Sequence, residues 1–162
     1  MKIFANHAHV FRRDQRADGT VSALLEVMDK TGIEKCVCFA PFYEWGLDYN
    51  PNLWMAEELK AHPELTGFGV VDIHGQDLAG QVRQIRELGL KGIKLHPAFQ
   101  KFAIDGPEAF QVYAAAQEAG LFLSFHTGVH WHRIKDYQPL LFDEVAWHFP
   151  DLKFSMEHVG GY

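Results

Sequence analysis

The sequence is short of several things, and each shortage removes a class of protein. It has two cysteines, Cys36 and Cys38 in "KCVCFAP". Two thiols that close on one strand are poor disulfide partners, so a disulfide framework is excluded and two buried thiols in a reducing compartment are expected. No apolar run is long enough to span a bilayer. The opening "MKIFANHAHVF" lacks an apolar leader core and a small-residue cleavage site, so no signal peptide is evident and a cytoplasmic protein is expected. Excess positive charge is also absent. The formal net charge is −6, with no long run of either sign, which argues against nucleic acid or an anionic membrane as the main partner. No linker, repeat or low-complexity tract interrupts the chain, and its 162 residues suit one domain, 1–162.

What the chain does have is histidine, ten in all, and a regular alternation of elements. Strand-like runs are "KIFANHAHV", "KCVCFAP", "TGFGVVDI", "LKGIKLHP", "LFLSFHTG" and "LKFSMEHVGG". Helix-like runs lie between them. "TVSALLEVMDKTG" starts at a threonine cap and stops at Gly32. "NPNLWMAEELKAHPE" opens with Asn50 before Pro51. "DLAGQVRQIRELG" sets Leu78, Val82, Ile85 and Leu88 at helical spacing. "DGPEAFQVYAAAQEAG" and "QPLLFDEVAWHFP" complete the set. Strict strand–helix alternation predicts a parallel sheet with helical crossovers, six strands in the order 1-2-3-4-5-6.

Ionisable residues gather at the C-terminal ends of these strands: His7 and His9, Asp72 and His74, Lys94 and His96, His126, His158. In parallel α/β folds that edge is where ligands bind. Strand alternation puts Ala5, His7 and His9 on one face of the first strand. It puts Gly92, Lys94 and His96 on one face of the fourth, and Ser124 and His126 on one face of the fifth. Their apolar neighbours cover the helix side, so these groups face the interior of a barrel or the crevice of a sheet. On the sixth strand the same count joins Phe154, Met156 and His158 and leaves Glu157 on the other face.

Two imidazoles two residues apart reach one ion from one side. Zinc takes neutral imidazole nitrogen at about 2.0–2.1 Å, and a catalytic site keeps a position open. His126 is the natural third ligand, and His158 either coordinates or handles protons nearby. The alternative for the His7/His9 pair is two hydrogen-bonded core histidines.

At this point the chain resembles a known family. "NHAHVF", "GIKLHP", "LSFHTG" and "MEHVGG", in this order, look like the amidohydrolase superfamily, and within it the metal-dependent hydrolases of the amidohydrolase-2 type. The resemblance runs the length of the chain. It implies a (β/α)8 TIM barrel of which the first six β/α units are present. It implies one divalent ion, zinc first and manganese as an alternative, on His7, His9 and His126, with His158 as a catalytic residue. It implies hydrolysis, in which a metal-bound water attacks an amide, lactone or ester carbonyl of a small molecule. The close rival is metal-dependent decarboxylation or hydration of a small carboxylic acid with the same ligands. A third reading is an inactive fragment that serves only binding or assembly.

The chain departs from the family pattern in two ways. The aspartate often found two residues before the first histidine is here Ala5. A full barrel takes about 250 residues, so a C-terminally truncated member is expected, without the aspartate of the eighth strand. Such a piece is expected to self-associate or to hold a missing C-terminal segment, because its edge strands are open. Substrate contacts are expected from Lys94, His96 and Arg133. Lys94 invites comparison with the carbamylated lysine of binuclear relatives, but a contact to substrate or a carboxylate fits better. His96 could instead cap a loop, and Arg133 could simply be solvated. "HTGVHWHRIKDY", with His130, Trp131 and His132, reads as a specificity loop, and "APFYEWGLDYN" as an aromatic pocket wall or a packed loop. His62 and His148 fall late in helices and read as structural; His74 stays open.

Overall fold

The computed structural model describes residues 2–128, 133, 135 and 138–158. Its strands are β1 (Ile3–His9), β2 (Ile33–Phe39), β3 (Leu65–Gly69), β4 (Gly92–Leu95), β5 (Phe122–His126) and β6 (Phe154–Glu157). Its helices are α1 (Val21–Thr31), α2 (Pro51–Glu58), α3 (Leu78–Glu87), α4 (Pro97–Gln100), α5 (Pro107–Ala119) and α6 (Leu141–His148). The caps follow from the sequence. Thr20 accepts from the Ala23 amide at the start of α1, and Gly32, at φ 71°, ends it. Asn50 accepts from two amides at the start of α2, with Pro51 in the first turn.

All pairings are parallel, and the order is β1-β2-β3-β4-β5-β6, as the alternation predicts. The sheet is curled. Five strand spacings would hold β1 about 24 Å from β6 in a flat sheet, yet His7 on β1 meets Glu157 on β6 at 3.0 Å. The six strands therefore form part of a TIM-type barrel.

Each face of the sheet has its own core. On the helix side, Ile93 and Leu95 of β4 and Leu123 and Phe125 of β5 are fully buried with Val82, Ile85, Val112 and Tyr113. Inside the curl, Val37, Phe39 and Phe68 form a second, smaller cluster against Phe122. Gly92 makes room for it: a Cβ there would lie 2.5 Å from the Phe68 ring and 2.4 Å from the Phe122 carbonyl oxygen.

The edge strands correct two assignments made from strict alternation. On β1, Ala5 pairs with Cys36 and Ala8 with Cys38, three residues against two, a bulge around Asn6 and His7. Ala5 and Ala8 therefore both pack toward the helices, and Ala5 does not share the face of His7 and His9. On β6, Phe154 packs on Phe125 and Phe142 on the helix side, and Glu157 points into the curl, where Ser124 meets it. His158 follows at φ 61°. That left-handed turn, rather than strand parity, brings its ring back over the interior.

Among the described residues no helix is long and apolar enough to cross a membrane. Cys36 and Cys38 are buried free thiols, and burial pushes Cys38 up to about 12.

Candidate functional site

The strand ends bring four histidines to one mouth. The His7 ring centroid lies 5.2 Å from that of His9 and 5.0 Å from that of His158. His158 in turn lies 4.8 Å from His126. The interior aromatic layer forms the floor, with Phe39 edge-on to both His7 and His9. Gly128 keeps the mouth open to His158, since a Cβ there would stand 3.1 Å from the His158 Cβ. The Thr127 hydroxyl donates to the Glu157 carbonyl and ties the end of β5 to the end of β6.

The charges below the rings are buried. Lys94 is 1% exposed. Its Nζ lies 3.4 Å from Ser124 Oγ and 4.7 Å from the centroid of the Phe39 ring. Burial lowers its pKa to about 8, against the pull of Glu157. Glu157 accepts at both oxygens. Oε1 takes the hydroxyls of Ser124 at 3.0 Å and Ser155 at 2.6 Å, and Oε2 faces His7 Nδ1 at 3.0 Å. Burial alone would raise the Glu157 pKa. The bonds from His7, Ser155 and Ser124 and the charge of Lys94 outweigh it and leave the group below its ordinary value.

Burial favours the neutral form of two of the rings. Burial pushes His9 down to about 3, helped by Lys94 and the neighbouring imidazoles. Burial also lowers His7, against its hydrogen bond to Glu157. Neutral imidazole is the form that ligates a metal.

The donor set fits a divalent ion in kind. His9 Nδ1 is buried with no hydrogen-bond partner, an uncommon condition for a polar atom unless something else meets it. His7 is backed by a carboxylate, as metal-bound imidazoles usually are. In posture the expected convergence of His7, His9 and His126 is not drawn tight: among the described residues no three His, Cys, Asp or Glu side chains already surround one point. His126 directs Nε2 to the Gly128 carbonyl at 3.1 Å and stacks on His96 at 3.8 Å.

The other expected site residues divide. His96 lies beside the cluster, but its Nδ1 also accepts from the Phe99 amide and starts α4. It thus caps the short helix α4, where the sequence suggested the cap of a loop. Phe42 and Phe99 pack on His96, and Trp45 on both, so the loop after β2 does form an aromatic wall at the mouth. Arg133 is exposed on the segment after β5. His130, Trp131 and His132, and the glycines after His158, lie outside the described residues. His62 and His148 face Glu64 and Glu144 at the surface, and His74 Nε2 meets the Gln100 carbonyl at 2.7 Å.

Strict alternation counted back from an inward His158 misplaces Glu157. The signal was present, because Phe154 reads as helix-facing by analogy with Phe125. That choice would have turned Ser155 and Glu157 inward.

A parallel β/α sheet curled into part of a barrel, with histidines at its C-terminal edge, defines a fold of TIM type. The chain belongs to the amidohydrolase family: the sequence model of that family, Amidohydro_2, matches residues 7–162. Members of this family are metal-dependent enzymes, decarboxylases among them. A search of curated proteins gives no match. Among solved structures, an uncharacterised TIM-barrel protein from Bordetella bronchiseptica aligns at TM-score 0.80 and 21% identity, over 99% of this chain and 68% of its own. The 5-carboxyvanillate decarboxylase of Sphingomonas paucimobilis aligns at TM-score 0.72 and 17% identity, over 98% and 68%. That of Novosphingobium aromaticivorans, with bound manganese and 3-methoxy-4-hydroxy-5-nitrobenzoic acid, aligns at 0.71 and 17%, over 98% and 66%. At these identities the likeness carries the fold. The chain spans about two thirds of the length of these structures.

Proposed function

We propose that this chain carries the metal-binding part of an enzyme that acts on a carbonyl or carboxyl group of a small molecule. His7, His9 and His126 would hold one divalent ion, zinc or manganese. When bound, such an ion supplies Lewis acidity, acidifying water toward a pKa of about 7 and polarising a substrate oxygen. The observation that supports this reading is the buried, unpartnered Nδ1 of His9 beside a carboxylate-backed His7. His158, exposed at the rim and within ring contact of both His7 and His126, would transfer a proton to or from the substrate. The wall of Phe42, Trp45 and Phe99 would hold the substrate's apolar part and exclude water from one side. Lys94, buried under the mouth, would keep the interior positive enough to attract an anionic group.

Hydrolysis of an amide, lactone or ester is the leading reaction. Decarboxylation is the second, favoured by the aromatic wall and by the decarboxylases among the structural neighbours. A panel of lactones, amides and aromatic carboxylates, each with added zinc or manganese, tests both. The expected result is metal-dependent turnover of one class, reduced at least a hundredfold in His7→Ala and His126→Ala. Turnover that is unchanged by a chelator and by both substitutions would contradict the reading.

A further inference from the structure

Glu157 has a part that neither the family match nor the histidine pattern assigns. It lies in the β6 ladder opposite His126, two pairs beyond Ser124 and Ser155, which face each other directly. The two serine hydroxyls converge on one carboxylate oxygen, Oε1. That double donation fixes the plane of the carboxylate. The other oxygen, Oε2, is thereby aimed across the curl at His7 Nδ1, 150 residues away in sequence. Lys94 stands behind the same serine, Nζ to Ser124 Oγ. The arrangement is therefore a relay of Lys94, Ser124 and Glu157 that ends on one nitrogen of one ring.

An ionised carboxylate only accepts hydrogen bonds. With Oε2 facing it at 3.0 Å, Nδ1 of His7 must carry the ring proton. The lone pair is then on Nε2, on the side of the ring turned away from Glu157. A surface ion pair would not do this. Glu157 is 7% exposed, and in that setting a half-satisfied carboxylate would be costly, so the bonds it makes are held.

The geometry points to Glu157 as a positioning residue that locks His7 in its Nδ1–H tautomer and presents Nε2 as a ready metal ligand, with Ser124 and Ser155 as the clamp that aims it. It acts through His7 and does not itself touch substrate or ion. This rests on the proposed assignment of His7 as a ligand. Carboxylates behind metal-bound histidines commonly change metal affinity by 10- to 100-fold when removed.

The test uses the full chain labelled with 15N-histidine and stripped of metal. Two-bond 1H–15N correlations read the tautomer of each ring, and the His7 signals are assigned by their loss in His7→Gln. The wild-type chain is expected to show His7 as the Nδ1–H form alone. In Glu157→Gln, whose amide can donate as well as accept, a mixture with the Nε2–H form is expected. Zinc affinity, measured by competition with a chelator, is expected to fall 10- to 100-fold. Should Glu157→Gln not fold, the double variant Ser124→Ala, Ser155→Ala removes the clamp and is expected to give the same mixture. An unchanged His7 tautomer in a folded variant overturns the proposal, as does a shifted tautomer with unchanged zinc affinity. If the wild-type chain binds no zinc, the ligand assignment of His7 fails separately. The tautomer comparison then still decides whether Glu157 sets the ring: a mixture supports it and no change overturns it.

Discussion

The four middle strands and the two edge strands share a design but obey it differently. In β4 and β5 alternate residues fall on opposite faces without exception: Ile93, Leu95, Leu123 and Phe125 toward the helices, Lys94 and Ser124 inward. In β1, and just past the end of β6, the alternation breaks. β1 carries a bulge at Asn6 and His7, and β6 is followed by a left-handed His158. Both breaks occur where a ring enters the mouth. The middle strands keep regular alternation while also supplying Lys94, Ser124 and His126, and both irregularities of the edges lie beside the histidine mouth. Departures from regular geometry concentrate at functional sites because packing elsewhere holds them in place.

That contrast can be broken first by stability. Phe125 is fully buried among Tyr113, Phe142 and Phe154. Phe125→Ala is expected to cost about 3–5 kcal/mol by chemical denaturation. Phe4, 60% exposed on edge strand β1, is expected to tolerate Phe4→Lys within about 0.5 kcal/mol. Equal losses at the two sites would mean that β1 is as tightly built into the core as β5.

The second, smaller effect sharpens the idea of strain at the mouth. A non-glycine residue at φ 61° is held at a cost that glycine does not carry. His158→Gly is expected to leave stability unchanged or raise it by up to about 1 kcal/mol, while turnover of any substrate found falls at least tenfold. A clear loss of stability would show that the ring of His158 is a packing element instead.

The third effect is the smallest and belongs to the middle strands alone. Burial raises both the Cys36 and the Cys38 thiol, Cys38 to about 12 from 9.0. The folded state therefore keeps thiol protons that the unfolded chain loses. Their contribution to stability is full below pH 9 and declines as pH rises from 9 toward 12. Cys38→Ala is expected to flatten the stability–pH slope in that window, and a thiol reagent at pH 8 should label neither cysteine before unfolding. Rapid labelling of the folded chain would place Cys36 and Cys38 nearer solvent than described.

Much of this was legible in the sequence, and the reason is periodicity. Helix caps at Thr20, Asn50 and Gly120 and the strict strand–helix order give the parallel topology, because crossovers leave few other ways to connect such elements. The strand-end histidines mark the mouth for the same reason. One thing was not legible, and two were easy to misread. The bulge in β1 shifts Ala5 to the helix side, and no local residue type announces it. The inward turn of Glu157 depends on which face Phe154 takes, which is a matter of packing on Phe125 and Phe142. The one-turn helix α4 was also hidden, because Pro97 and the His96 cap read equally well as a loop.

The central claim is that His7, His9 and His126 share one divalent ion. The most direct measurement is diffraction from crystals of the chain soaked in manganese, with data collected to reveal the metal's anomalous signal. The account predicts one strong peak in contact with nitrogens of His7, His9 and His126, with the His126 ring turned away from the Gly128 carbonyl. No peak at that mouth under saturating manganese, or a peak bound only by surface carboxylates, would contradict it.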